Sequence, residues 1–182
     1  IFKRLRLPAL ATWRKRRIKL MEEMRRPEHW GLSADDLVVR AAQTVTTSSR
    51  VLVAGPQVET PALYLAANGC DVTALAAPEA VQRVLDAAEE VGLGERVHAS
   101  AVALDSWTPD APLTAVIYTP AAFAGLSAAE RARVIQVLQS ATADGGVHLV
   151  QTIAAGKRAP VSLGELRRRY RGWDGTVDAG GG

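Results

Sequence analysis

The chain is short of cysteine, of histidine, of aromatic residues and of long apolar runs. A single cysteine, Cys70, in 182 residues leaves no intrachain disulfide partner, so stability must come from packing. Its place at the start of an apolar segment reads as a buried structural thiol. The three histidines, His29, His98 and His148, share no ligand spacing with one another or with Cys70, and no metal site is expected. No stretch approaches the 18 or more apolar residues of a membrane span. Aromatic residues make up only 5%, so the core must be built mainly from Val, Leu and Ala. The length suits one domain with an appendage. Because the chain opens on Ile1 and stops in Gly180-Gly181-Gly182, it reads as part of a longer product.

Charge is present but segregated. Residues 1–26 hold ten Lys or Arg against Glu22 and Glu23, whereas residues 27–156 hold six Arg against fourteen Asp or Glu. The overall +3 therefore conceals an arm of +8 followed by a body of −8. Residues 157–182 return +3, mostly through Arg167, Arg168, Arg169 and Arg171. That last cluster suits the carboxyl end of a helix, where cations complement the dipole.

The arm reads as a basic amphipathic helix. Pro8 can open it, since its missing N–H would be unpaired there anyway. Leu10, Trp13, Leu20, Met21 and Met24 recur near helical spacing, with Arg14, Lys15, Arg16, Arg17 and Lys19 between them. Arg26-Pro27 should end it. A second helix is expected over 33–46, with Ser33 as N-cap and Leu37, Val38, Ala41 and Val45 on its apolar face.

Beyond residue 50, strands and helices alternate, which implies a parallel sheet. Strands are expected at 51–54, 71–75, about 96–100, 115–118 and 147–153. Helices are expected from Thr60-Pro61 to Asn68-Gly69, from Pro78 to about Gly92, from Ser127 to about Ala141, and from Ser162 to about Gly172. Ser127 with Glu130 and Ser162 with Glu165 each have capping-box spacing. Asp144-Gly145-Gly146 reads as the turn into strand five.

The unit VLVAGPQVETPALYLAANGCDVTAL at 51–75 is the strand–loop–helix–strand arrangement that holds nucleoside cofactors in open α/β sheets. Such a loop needs several glycines so that backbone can approach the ligand. Here only Gly55 is in place, followed by Pro56, Gln57, Val58 and Glu59.

On these residues, with ADGGVHLV and SLGELRRRYRGWD, the chain resembles a class I S-adenosylmethionine-dependent methyltransferase. It is most similar to the small tellurite-resistance-type branch, over about residues 33–174. The resemblance implies a Rossmann-like sheet of seven strands ending in a hairpin. Five strands are legible and Thr176-Val177 would begin the sixth, so the fold is expected to stop before its last hairpin. The resemblance also assigns cofactor positions. The first loop glycine is Gly55, and the acid near the adenine amine matches Asp105. The other positions depart from the pattern. The acid before the loop is Val53, the second and third glycines are Gln57 and Glu59, the ribose-binding acid is Ala76, and the acid opening strand four is Thr114. Glu59 would also set a negative charge against the cofactor's carboxylate. Gly55 and Asp105 can equally be a turn glycine and a solvated loop acid. Tyr118 and Phe123 fall where the family places its methyl acceptor, or are core packing.

The expectation is a methyltransferase-derived α/β domain (28–182) carrying a basic helical arm (1–27). It would act as a non-catalytic structural or scaffolding subunit of a larger assembly, with no cofactor. Trp13, Arg14, Lys15, Arg16, Arg17, Met21 and Met24 would dock it onto protein subunits or an anionic membrane surface. The alternative is an active small-molecule methyltransferase with a remodelled donor site, binding S-adenosylmethionine through Gly55 and Asp105. Nucleic acid is disfavoured, because an acidic body would repel it and no recognition motif is present. The compartment expected is the cytoplasm, at the cytoplasmic face of a membrane if the assembly is peripheral.

Overall fold

The computed structural model describes residues 10–150 and 161–176. Helix α1 covers Leu10–Met24, a 3-10 turn Pro27–Trp30 follows, and α2 covers Leu37–Thr44. Then β1 (Arg50–Ala54), α3 (Glu59–Ala67), β2 (Asp71–Leu75), α4 (Pro78–Glu90) and β3 (Val97–Ser100) alternate as the periodicity requires. After β4 (Leu113–Tyr118) come α5 (Ala128–Ser140), β5 (Thr142–Val150) and α6 (Leu163–Arg169). All pairings are parallel and the strand order is β3-β2-β1-β4-β5. The α/β, Rossmann-like expectation is met. A sixth strand beginning at Thr176-Val177 falls at the edge of the described residues, and Pro8, Gln151, Thr152 and Ile153 fall outside them.

Strand alternation divides the core into two layers. Val51, Val53, Val72, Ala74, Ala115 and Ile117 face one way and pack with α2, α3 and α4. Leu52, Ala54, Leu75, Val116 and Tyr118 face the other way and pack with α5, α6 and Phe123. Helix α3 is buried almost throughout, from Ala62 to Ala67, which explains its near-continuous apolar sequence. Cys70 lies fully buried beside it. Burial, reinforced by Asp71, pushes its thiol up to about 11, which keeps it protonated and inert.

Three local expectations are corrected. Helix α2 starts three residues later than Ser33 as N-cap suggests. Ser33 begins a turn, accepting from the Asp36 N–H at 3.1 Å, and the Asp36 carboxylate caps the helix through Val38 N–H. An acid fits there because it accepts a charged hydrogen bond at the positive helix end.

The Asp144-Gly145-Gly146 segment is a bulge inside β5, not a turn before it. Leu113 pairs with Thr142 and Ala115 with Val147, so the extra residues loop out, with Gly145 at φ +78°.

At α6 only half the capping box forms. Ser162 Oγ accepts from Glu165 N–H at 3.1 Å, but the Glu165 carboxylate turns to Arg131 instead. The Ser127–Glu130 box is complete, and the hydrogen bonds from Ser127 hold the Glu130 carboxyl below its usual range.

Candidate functional site

A parallel sheet binds ligands at the carboxyl ends of its strands, where the strand order reverses. Here that point lies between β1 and β4, at Ala54-Gly55 and Tyr118-Thr119. Gly55 leaves β1 at φ +149°, a conformation that side chains rarely adopt. Its missing side chain is used by the protein itself: a Cβ there would lie 2.8 Å from Thr119 Oγ1. Thr119 Oγ1 is in turn the one buried side-chain polar atom without a hydrogen-bond partner among the described residues. No sequence signal marked Thr119, because a threonine after an apolar strand is unremarkable until its burial is seen.

The rest of the loop is open. Pro56 and Gln57 are exposed, whereas Val58 turns into the core. Glu59 starts α3, and its carboxylate accepts from Arg83 Nε of α4 at 2.8 Å. The expected clash of Glu59 with a ligand carboxylate is therefore softened, since the negative charge is paired and drawn toward α4. Ala76 follows β2 with its N–H donated to Ser100 C=O at 3.0 Å. Its methyl offers no acceptor where two ribose hydroxyls would need one. Asp105 sits half-buried in the turn after β3, with the Ser106 hydroxyl donating to it at 3.5 Å. Gly55, Ala76 and Asp105 thus lie in the loops after β1, β2 and β3, as expected of one cleft. Thr114, by contrast, lies at the opposite end of β4.

Tyr118 and Phe123 are core residues. They are 1% and 0% exposed and pack edge to face at 4.9 Å, so they offer nothing to a substrate at the cleft. Tyr118 instead joins a polar chain that the sequence did not reveal. Its hydroxyl meets Tyr170 Oη at 2.7 Å, Tyr170 Oη meets His148 Nδ1 at 2.7 Å, and His148 Nε2 meets Thr142 Oγ1 at 2.7 Å. Thr142 Oγ1 donates its only hydrogen to Leu138 C=O at 2.7 Å. That fixes every other proton. Nε2 must donate to Thr142, so Nδ1 accepts from Tyr170, which accepts from Tyr118. Burial pushes the His148 imidazolium down to about 4 and the Tyr170 phenol up to about 12, and raises Tyr118 as well. Trp173 closes the cluster, 4.7 Å from the His148 ring.

Beside this chain Arg131 grips Glu165 through two hydrogen bonds of 3.1 and 3.0 Å and donates to Leu126 C=O at 2.7 Å. Both side chains are largely buried, and Arg131 holds the Glu165 carboxyl below its usual range. This is a structural clamp between α5 and α6.

The arm lies at the far end of the sheet. Asn68 Nδ2, at the carboxyl end of α3, donates to Arg25 C=O at 3.4 Å. Arg17 Nη2 lies 3.8 Å from where a Cβ would stand on Gly92, just past α4. Both places border the amino ends of the strands. Five strand residues at roughly 3.3 Å each put α1 about 16 Å from the loop of Gly55. Of the residues expected to dock, Met24 is buried in the body and Met21 packs partly against it. Trp13, Arg14, Lys15, Arg16 and Arg17 are exposed, with the Arg17 guanidinium 5.5 Å from the Trp13 ring centre. So the expected docking set splits: the methionines fasten the helix to its own domain, and the rest face solvent. No helix among the described residues is long and apolar enough to cross a membrane.

The fold and its strand order are those of the class I S-adenosylmethionine-dependent methyltransferases. The family model described as "Tellurite resistance protein TehB" matches residues 29–177, and the chain belongs to that family. Among solved structures it is similar to TehB from Haemophilus influenzae, at 19% identity and a TM-score of 0.63, covering 80% of this chain and 53% of that one. A methyltransferase from Geobacter sulfurreducens in complex with S-adenosyl-L-homocysteine aligns at 18% identity and a TM-score of 0.51, covering 74% of this chain and 54% of that one. A methyltransferase from Thiobacillus denitrificans, also with S-adenosyl-L-homocysteine, gives 16% identity and a TM-score of 0.53, with 73% and 53% covered. The chain spans about half the length of these proteins. No curated protein matches it.

Proposed function

We propose that this domain keeps the methyltransferase fold without the methyl-donor site, and serves as a non-catalytic, scaffolding member of a protein assembly that it joins through α1. The observation that carries the reading is at Gly55. The space its missing Cβ leaves is taken by Thr119 Oγ1, not left open for a ligand. Ala76 supports it, with no oxygen for the ribose hydroxyls. Each lost charge-assisted hydrogen bond is worth about 1.5–3 kcal/mol, so two or three such losses move micromolar binding to millimolar or weaker. The S-adenosylmethionine of the family therefore fits these residues poorly, and no catalytic step is derived through it. The exposed, charged α1 supports the scaffolding half of the reading.

A second reading, an active small-molecule methyltransferase with a remodelled donor site, draws on one observation. The Arg83–Glu59 pair softens the like-charge objection at the loop.

Restoration separates the two. The pair Ala76→Asp and Gln57→Gly should confer thermal protection by S-adenosylhomocysteine that the parent chain lacks. Equal protection of parent and variant would refute the non-catalytic reading.

A further inference from the structure

We propose that α1 docks onto α4 of a second copy of this chain, reciprocally, so that a two-fold symmetric dimer matches each basic arm with an acidic helix. This rests on the reading of α1 as a docking element and names its partner.

Charge complementarity carries the proposal. On α1 the side chains of Arg14, Lys15, Arg16, Arg17 and Lys19 are exposed, and among the described residues their one ion pair is Lys19–Glu23 at 3.9 Å. On α4, Glu79, Asp86, Glu89 and Glu90 are exposed, and Asp86 stands seven residues after Glu79 and three and four before Glu89 and Glu90, which gathers them on one face. The only cation on that face, Arg83, is turned to Glu59. The carboxyl end of α4, with Asp86, Glu89 and Glu90 in its last turns, lies on the same side of the domain as α1, as the approach of Arg17 to Gly92 shows. A patch that carries both signs side by side is self-complementary under a two-fold rotation, which is what an isologous interface needs.

The arm also exposes apolar surface that a protein face would cover. Leu10 is 63% exposed, Trp13 50% and Leu20 45%. Helices of 15 and 13 residues are each about 20 Å long and about 10 Å across. Together they offer about 400 Å² per copy, about 800 Å² across the two-fold, which is the size of a weak, reversible interface.

An anionic lipid surface suits the arm less well. Arg17 falls within the stripe of Leu10, Trp13, Leu20 and Met24, and Ile18, 59% exposed, points well off it. The helix therefore lacks the single clean apolar face that an interfacial helix lays into lipid. The carboxylates of α4 would also be brought up against lipid charge of their own sign.

Sedimentation velocity of the full chain tests this, at about 50 mM and about 500 mM salt, because exposed ion pairs weaken as screening rises. A dimer at low salt that weakens about tenfold or more at high salt is expected. Two triple reversals follow, Arg14→Glu/Lys15→Glu/Arg16→Glu on the arm and Asp86→Lys/Glu89→Lys/Glu90→Lys on α4. All six sites are exposed, and far-UV circular dichroism confirms that each variant is folded. Each variant alone should lose the dimer, and an equimolar mixture should form a heterodimer, because one reversed arm then meets one reversed α4. A parent chain that stays monomeric at low salt would overturn the proposal. So would a dimer indifferent to both reversals, two folded variants that do not pair, or a monomer recovered instead on vesicles rich in phosphatidylserine. None of these results bears on donor binding, so self-pairing can fail while the donor-loss reading stands, and the reverse.

Discussion

Lowering the pH should destabilise this domain through His148. Above about 6.5, the ordinary value, the imidazole is neutral in both folded and unfolded chains, and the hydrogen-bonded chain is intact. In the folded state burial lowers the value to about 4. Between those limits the unfolded chain binds a proton that the folded one refuses, so stability falls with pH at a slope approaching about 1.4 kcal/mol per pH unit. The total loss is about 3 kcal/mol, complete once the pH passes below the folded value. The geometry explains the refusal. A second ring proton would sit on Nδ1, facing the hydrogen of Tyr170. Tyr170 would then have to donate to Tyr118, leaving Tyr118 a buried hydroxyl with no acceptor. A domain is stable by only about 5–15 kcal/mol, so the loss should be plain in urea midpoints measured from pH 7.5 to pH 4.5. The control is His148→Gln, which removes the titrating ring and should flatten that slope. An NMR titration should find the ring neutral until close to pH 4. A ring that titrates near 6.5, or a slope that survives in His148→Gln, would refute the reasoning.

Two further perturbations probe the cleft and the clamp. Thr119→Val replaces the unpartnered hydroxyl with a methyl of the same shape and should stabilise the domain by about 1 kcal/mol in urea unfolding; destabilisation would mean that the hydroxyl has a partner. Glu165→Gln leaves Arg131 charged and largely buried without its counter-charge and should cost about 3 kcal/mol, read as a fall in thermal midpoint; a change within error would show that solvent already screens the pair.

The α/β alternation, the parallel sheet and most element ends were legible in the sequence. Pro78, Asn68-Gly69 and the Ser127–Glu130 pair act through local chemistry that does not depend on the rest of the fold. The misplaced features have causes that lie outside the motif itself. Ser33 and Asp36 are both good caps, and only the turn between them decides which is used. Glu165 has the spacing of a capping box, but its carboxylate is claimed by Arg131, 34 positions away in sequence. The bulge at Asp144-Gly145-Gly146 looks like a turn because its residues are those of a turn; only pairing with β4 places it within a strand.

The cleft was legible as losses, since Ala76 and Gln57 can be read directly against the family pattern. Two features exist only as contacts between distant segments. One is the pairing of Glu59 with Arg83. The other is the filling of the Gly55 gap by Thr119, which a glycine retained in the motif conceals. The polar chain through His148 was invisible for the same reason: Tyr118, Thr142, His148 and Tyr170 share no motif and meet only across β4, β5 and the end of α6.

The central claim is that the fold has outlived its donor site. Calorimetric titration of the full chain with S-adenosylmethionine and S-adenosylhomocysteine tests it most directly. The account predicts no heat of binding up to millimolar ligand, as expected when Ala76 offers the ribose nothing and Thr119 fills the gap at Gly55. A one-to-one isotherm at micromolar strength would contradict it and make the remodelled, active methyltransferase the correct reading.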